Sequence, residues 1–170
     1  DIDNWRWAGV PFYLRTGKRL PTKCSEVVVY FKNPEMNLFK DSYAELPQNK
    51  LTIRLQPDEG VDIEILNKVP GLDHKHKLQT TKLDLSYSET FNQSHLADAY
   101  ERLLLETMRG IQALFVRRDE VEAAWGWVDS IIDAWNADAE APKPYQAGTW
   151  GPVASVAMIT RDGRSWNEFE

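Results

Sequence analysis

Apolar and polar residues alternate along the first half of the chain with the two-residue period of half-buried strands. Leu51, Ile53 and Leu55 interleave with Thr52 and Arg54, and Val61, Ile63 and Ile65 interleave with Asp62 and Glu64. Between them Pro57-Asp58-Glu59-Gly60 has turn composition, which predicts a hairpin with one wet face. Val27 to Phe31 is β-branched and aromatic and stops at Asn33-Pro34, so it reads as a further strand. Leu83, Leu85 and Tyr87 begin another alternating segment beyond the Pro70-Gly71 turn. Gly9 to Leu14 is a nearly continuous apolar run, as expected of a strand covered on both faces.

At Ser94 the period lengthens. Leu96, Ala99, Tyr100, Leu103, Leu104, Thr107 and Met108 recur at helical spacing, with Ser94 as the expected N-cap and Gly110 as the expected C-cap. A second helix is predicted from Asp119, where Asp119 and Glu122 have capping-box spacing. Its stripe is Val121, Ala124, Trp125, Val128, Ile131, Ile132 and Trp135. Trp125 and Trp135 fall on that stripe and read as core, whereas Trp127 lies off it and is an interface candidate. From Ala141 the chain is rich in proline and glycine and is expected to be an ordered loop closing over the structure.

Strands in hairpin succession followed by helices predict an α+β fold: a large, mainly antiparallel sheet with helices packed on one face. The strand–helix alternation of a dinucleotide-binding fold is missing, so no Rossmann-type nicotinamide site is expected in this chain.

Composition narrows the function classes. A chain of 170 residues fits one domain and is long enough to bury most of its apolar surface. Its net charge of −6 gives no general attraction to nucleic acid or to an anionic membrane. No apolar run is long enough to span a bilayer, and no basic, apolar leader opens the chain. The single cysteine, Cys24, excludes an internal disulfide framework and suits a reducing cytoplasm. Seven tryptophans point to a packed face or an interface.

The candidate chemistry is cationic. Arg15-Thr16-Gly17-Lys18 follows the apolar run, with Lys23 beyond it. A glycine lets backbone approach a ligand closely, and a lysine ammonium is a point charge for phosphate or sugar oxygens. Gly9 and Gly17 are eight positions apart, where a Walker loop needs about five, and Arg19 replaces its Ser or Thr, so no P-loop is present. Arg15 could pair with a sheet neighbour or face a ligand. His74 and His76 lack further ligands at suitable spacing, and His95 reads as a helix-start residue, so no metal site is expected. No Ser, His and acid arrangement suggests a hydrolase.

Trp5 to Lys18 resembles the W-x-G-V-P-F-x-L-R-x-G-K pattern that opens the C-terminal domain of glucose-6-phosphate dehydrogenases. Ile53-Arg54-Leu55-Gln56-Pro57, Leu83-Asp84-Leu85-Ser86-Tyr87 and Asp98-Ala99-Tyr100-Glu101-Arg102-Leu103 are similar to three further motifs of that family, in the same order. The resemblance implies that residues 1–170 are a C-terminal substrate-binding and dimerisation domain of the bacterial type, with the N-terminal Rossmann domain and its catalytic histidine absent from this chain. No catalytic residue is therefore expected here. Lys18 and Lys23 match family positions that contact glucose 6-phosphate. The complete enzyme would oxidise that substrate to 6-phosphogluconolactone with NADP, bound mainly by the missing domain, in a cytoplasmic homo-oligomer. Animal members hold a second, structural NADP on this domain, and Arg15 and Asp84 fit that pattern. Asp62, Glu64 and Trp150 depart from it, so no structural NADP site is expected. A non-catalytic sugar-phosphate module and a purely structural dimerisation domain are the rival readings.

Overall fold

The computed structural model describes residues 2–72, 77–91, 97–138 and 141–167. Its contacts divide the chain into two units, Asp1–Gln93 with Pro144–Glu170, and Ser94–Lys143. The first holds strands β1 (Ser25–Tyr30), β2 (Lys50–Gln56), β3 (Gly60–Lys68) and β4 (Leu78–Ser86), a short helix α1 (Tyr87–Thr90), and a C-terminal helix α4 (Val153–Arg161). The second holds α2 (Ala99–Arg109) and α3 (Arg118–Ala137). The class is α+β, with a four-stranded antiparallel meander in the order β1-β2-β3-β4.

Register turns the alternation into two chemically opposite faces. Val27, Ile53, Val61 and Leu85 are successive cross-strand partners, as are Val29, Leu51, Ile63 and Leu83. One face of the sheet is therefore apolar across all four strands. The other carries Val28, Thr52, Asp62 and Asp84 in one row and Tyr30, Lys50, Glu64 and Lys82 in the next. The predicted hairpin is present, but the polar face expected to be wet holds its most buried side chains, Thr52 at 6% and Asp62 at 5% exposure. The apolar rows stay open, with Val27 48% and Leu83 60% exposed. Among the described residues Ile159, at 3% exposure, is the one buried apolar side chain.

Gly9 to Leu14 is not a strand. Gly9 has φ +72°, and residues 10–17 pair with no other strand. Pro11 lacks the N–H a central strand would need, so the apolar run here forms no ladder. Phe12 packs edge-on against Trp7 at 5.4 Å, while Leu14 is 72% exposed.

Helix boundaries follow capping chemistry. Ser94 lies outside the described residues, and the N-cap of α2 is Asp98. Asp98 Oδ1 accepts the Tyr100 N–H at 3.4 Å, and Glu101 Oε2 accepts the Asp98 N–H at 3.2 Å. The D-A-Y-E-R-L motif is thus the start signal of its own helix. Gly110 closes α2 at φ +70°, the left-handed C-cap conformation predicted for it. The next helix starts one residue earlier than expected. Glu120 Oε2 accepts the Arg117 N–H at 3.0 Å, and the Arg117 guanidinium, which has no acceptor atom, pairs with Asp119. Trp125 and Trp135 are 59% and 70% exposed, so they are not core residues of this chain, and Trp127 is similarly open at 57%.

The proline- and glycine-rich tail is more than a loop. Beyond Pro152 it forms α4, whose Ile159 is the buried side chain noted above. Pro152 stands at the N-cap, where a missing N–H costs no helical hydrogen bond.

Candidate functional site

Lys18 lies at a bend and Lys23 on the irregular segment that leads into β1, and both are exposed. Among the described residues neither forms an ion pair, so neither charge is neutralised by a neighbouring carboxylate. Their bend is not free chain. The Tyr145 hydroxyl donates to the Lys18 carbonyl at 2.5 Å, and the Gly148 N–H donates to the Arg19 carbonyl at 2.8 Å. Arg19 itself is held at φ 57°, a conformation uncommon for a side-chain-bearing residue. At Gly17 a Cβ would lie 3.2 Å from the Tyr145 hydroxyl, so glycine there admits the clamp.

Arg15 makes a contact that neither sequence reading of it named. Its guanidinium stacks between the rings of Trp150 and Trp166, 4.7 and 4.8 Å from their centroids. Burial lowers its pKa, an effect that Cys24 and Glu26 oppose. An arginine remains cationic there, and the two indole faces hold it as a structural rivet. The tail is tied down further along. Tyr13 donates to Asp162 Oδ2 at 2.5 Å, Trp166 Nε1 donates to the Ser155 carbonyl at 3.1 Å, and Asn167 Nδ2 donates to Glu26 Oε1 at 2.8 Å. The hydrogen bond to Asp162 raises the Tyr13 pKa.

On the polar sheet face Asp62 accepts Arg54 Nη1 at 2.9 Å and pairs with Lys82 Nζ at 3.2 Å. Arg54 Nη2 reaches Asp84 Oδ1 at 3.1 Å, which joins the I-R-x-Q-P and L-D-L-x-Y motifs through one guanidinium. Gly60, the cross-strand partner of Arg54, makes this possible, because a Cβ there would collide with the guanidinium. The hydrogen bond from Arg54 holds the Asp84 carboxyl below the usual carboxylate range, and the same bond raises Arg54. Lys50 and Glu64 pair at 3.0 Å. A cleft of about 420 Å³ opens beside this network, lined in part by Thr22, Cys24, Glu26, Arg54, Asp58 and Trp150. Lys23 stands between two of those residues in sequence.

His74, His76 and His95 lie outside the described residues. Among the described residues no helix is long and apolar enough to cross a membrane. Sequence reading missed Tyr145, Trp166 and the Arg54 network. The left-handed glycines around Trp150 (Gly148 and Gly151) were the available signal that the tail makes specific turns.

The meander, the added helices and the clamped cationic bend define an α+β domain, distinct from the parallel sheets of dinucleotide-binding folds. A family model described as the C-terminal domain of glucose-6-phosphate dehydrogenase matches residues 1–167, and the chain belongs to that family. It is 86% identical over 170 residues to the glucose-6-phosphate 1-dehydrogenase of Dickeya dadantii (strain 3937), covering 100% of this chain and 35% of that protein. The enzyme of Buchnera aphidicola subsp. Baizongia pistaciae (strain Bp) is 55% identical over 167 residues, covering 98% and 34%. A crystal structure of glucose-6-phosphate 1-dehydrogenase from Mycobacterium avium matches with a TM-score of 0.76 at 32% identity, over 98% of this chain and 33% of that one. A glucose-6-phosphate dehydrogenase in complex with its substrate glucose-6-phosphate matches at 0.71 and 30% identity, over 89% and 30%. The chain spans about a third of the length of the curated relatives it matches.

Proposed function

We propose that this chain is the C-terminal domain of an enzyme that oxidises D-glucose 6-phosphate to 6-phospho-D-glucono-1,5-lactone with NADP, in the cytoplasm and as a homo-oligomer. The observation that carries the reading is the 86% identity, over the whole chain, to a glucose-6-phosphate 1-dehydrogenase. NADP, which a dinucleotide-binding domain outside this chain would mainly hold, would supply the hydride acceptor for C1 of the sugar. This domain's own residues bind and orient. The Lys18 and Lys23 ammonium groups hold phosphate or sugar oxygens and so fix where C1 lies, which matters because hydride transfer is steep in geometry. The match to a relative solved with glucose-6-phosphate supports this role.

The residues present do not suit a second, structural dinucleotide. Asp62 and Glu64 put carboxylates on the sheet face, Arg54 and Lys82 are already paired with acids, and Trp150 stacks on Arg15. Phosphates arriving there would have to break the ion pairs of Lys50, Arg54 and Lys82 before meeting an available cation. The open apolar rows of the sheet support the interface role.

Steady-state kinetics of the complete enzyme test the reading. Lys18→Ala raises KM for glucose 6-phosphate roughly ten- to a hundred-fold, from a lost charge-assisted hydrogen bond of about 1.5–3 kcal/mol, with KM for NADP much less moved. Lys23→Ala acts in the same direction. Wild-type kinetics for a correctly folded Lys18→Ala enzyme would overturn it.

A further inference from the structure

We infer that Tyr145 is a positioning residue for Lys18: the tail segment from Tyr145 to Gly148 is a strap that sets the direction of the Lys18 side chain without touching substrate. The inference rests on the reading that Lys18 contacts glucose 6-phosphate. The bend at Lys18 belongs to no strand or helix, so no ladder of its own fixes it. Its two consecutive carbonyls are fixed instead from residues more than a hundred positions away. The Lys18 carbonyl accepts the Tyr145 hydroxyl at 2.5 Å, and the Arg19 carbonyl accepts the Gly148 N–H at 2.8 Å. The Lys18 carbonyl lies in the peptide plane that follows the Lys18 Cα, so the hydroxyl fixes the C-terminal side of that Cα, and the two held carbonyls together flank Arg19 and hold its left-handed backbone.

The strap is itself built to stay in place. Thr149 Oγ1 donates to the Gln146 carbonyl at 2.6 Å and closes the tail into a turn, and Gly148 takes φ +80° to complete it. One residue further on, Trp150 stacks on Arg15, three residues before Lys18. The bend is therefore anchored through side-chain stacking on its N-terminal side and through hydrogen bonds at its centre. A lysine on a long stem loses reach precision when its backbone wanders, because the ammonium moves further than the Cα.

Tyr145→Phe in the complete enzyme removes one hydroxyl and keeps the ring. The expected result is a rise of about two- to ten-fold in KM for glucose 6-phosphate, the range of one hydrogen bond, with kcat and KM for NADP within about two-fold of wild type. In a Lys18→Ala background the same change adds nothing further, because the group being positioned is gone. A merely structural tyrosine would weaken both substrates or kcat alike and would add its full effect in that background. Trypsin provides a second readout, since Tyr145→Phe should speed cleavage after Lys18 and Arg19 under native conditions. If Lys18→Ala raises KM but Tyr145→Phe leaves it at the wild-type value, or the two effects simply add, the strap is wrong and the substrate reading stands. If Lys18→Ala leaves KM unchanged, both fall.

Discussion

Asp62→Asn offers the sharpest test of what organises the sheet. Asp62 is 5% exposed and its carboxylate serves Arg54 at 2.9 Å and Lys82 at 3.2 Å. Asparagine keeps the shape and one acceptor but turns a charge-assisted bond into a neutral one, a loss of about 1 kcal/mol. Asp62 Oδ1 is buried without a hydrogen-bond partner among the described residues, so an amide placed there has no acceptor and costs about 1 kcal/mol more. The Lys82 contribution is small, because that side chain is 51% exposed and such pairs are worth about 0–1 kcal/mol. The sum, about 2 kcal/mol, corresponds to a fall of roughly 4–8 °C in Tm for a chain of this size. Thermal unfolding followed by circular dichroism reads it, with Lys82→Gln as the control expected to move Tm by under about 4 °C. A fall no larger for Asp62→Asn than for Lys82→Gln would refute the claim that the buried Arg54–Asp62 pair is the organising contact.

Asp98→Ala removes the cap of α2 and is expected to cost about 1 kcal/mol, with Asp98→Asn close to wild type in the same unfolding assay. The depressed pKa of Asp84 gives a pH signature. Its stabilising share is present above the unfolded carboxylate value of about 3.9 and is lost as pH falls through the lower folded value, so the Tm gap between wild type and Asp84→Asn should be open at pH 7 and close in acid. The isolated chain is expected to show no turnover of glucose 6-phosphate and to form a defined dimer by sedimentation. Turnover above a blank, or a monomer at every concentration up to the hundred-micromolar range, would count against this.

Much of the meander was legible because a two-residue period admits few other readings, as Leu51 to Leu55 and Val61 to Ile65 illustrate. The continuous run at Gly9 to Leu14 was not, since without alternation an apolar stretch does not reveal whether it has a partner, and Pro11 was the overlooked sign that it has none. Helix α4 was hidden behind Pro142, Pro144 and Pro152, read as breakers although a proline at a helix start breaks nothing. Trp125 and Trp135 show the limit of periodicity: it identifies the face to be covered, not whether this chain covers it. At the site, the cations after Gly17 could be read directly. Contacts of high sequence separation could not, which is why the clamp of Tyr145 on Lys18 and the bridge from Arg54 to Asp84 emerged only with the fold.

The most direct measurement is a crystal structure of the complete enzyme with glucose 6-phosphate bound. The account predicts the Nζ atoms of Lys18 and Lys23 within about 3.2 Å of substrate oxygens, or joined to them through one ordered water, with the Tyr145 hydroxyl still on the Lys18 carbonyl. A complex in which the substrate is held by other groups, with both ammonium groups too far for even a bridging water, would contradict the role assigned to this domain.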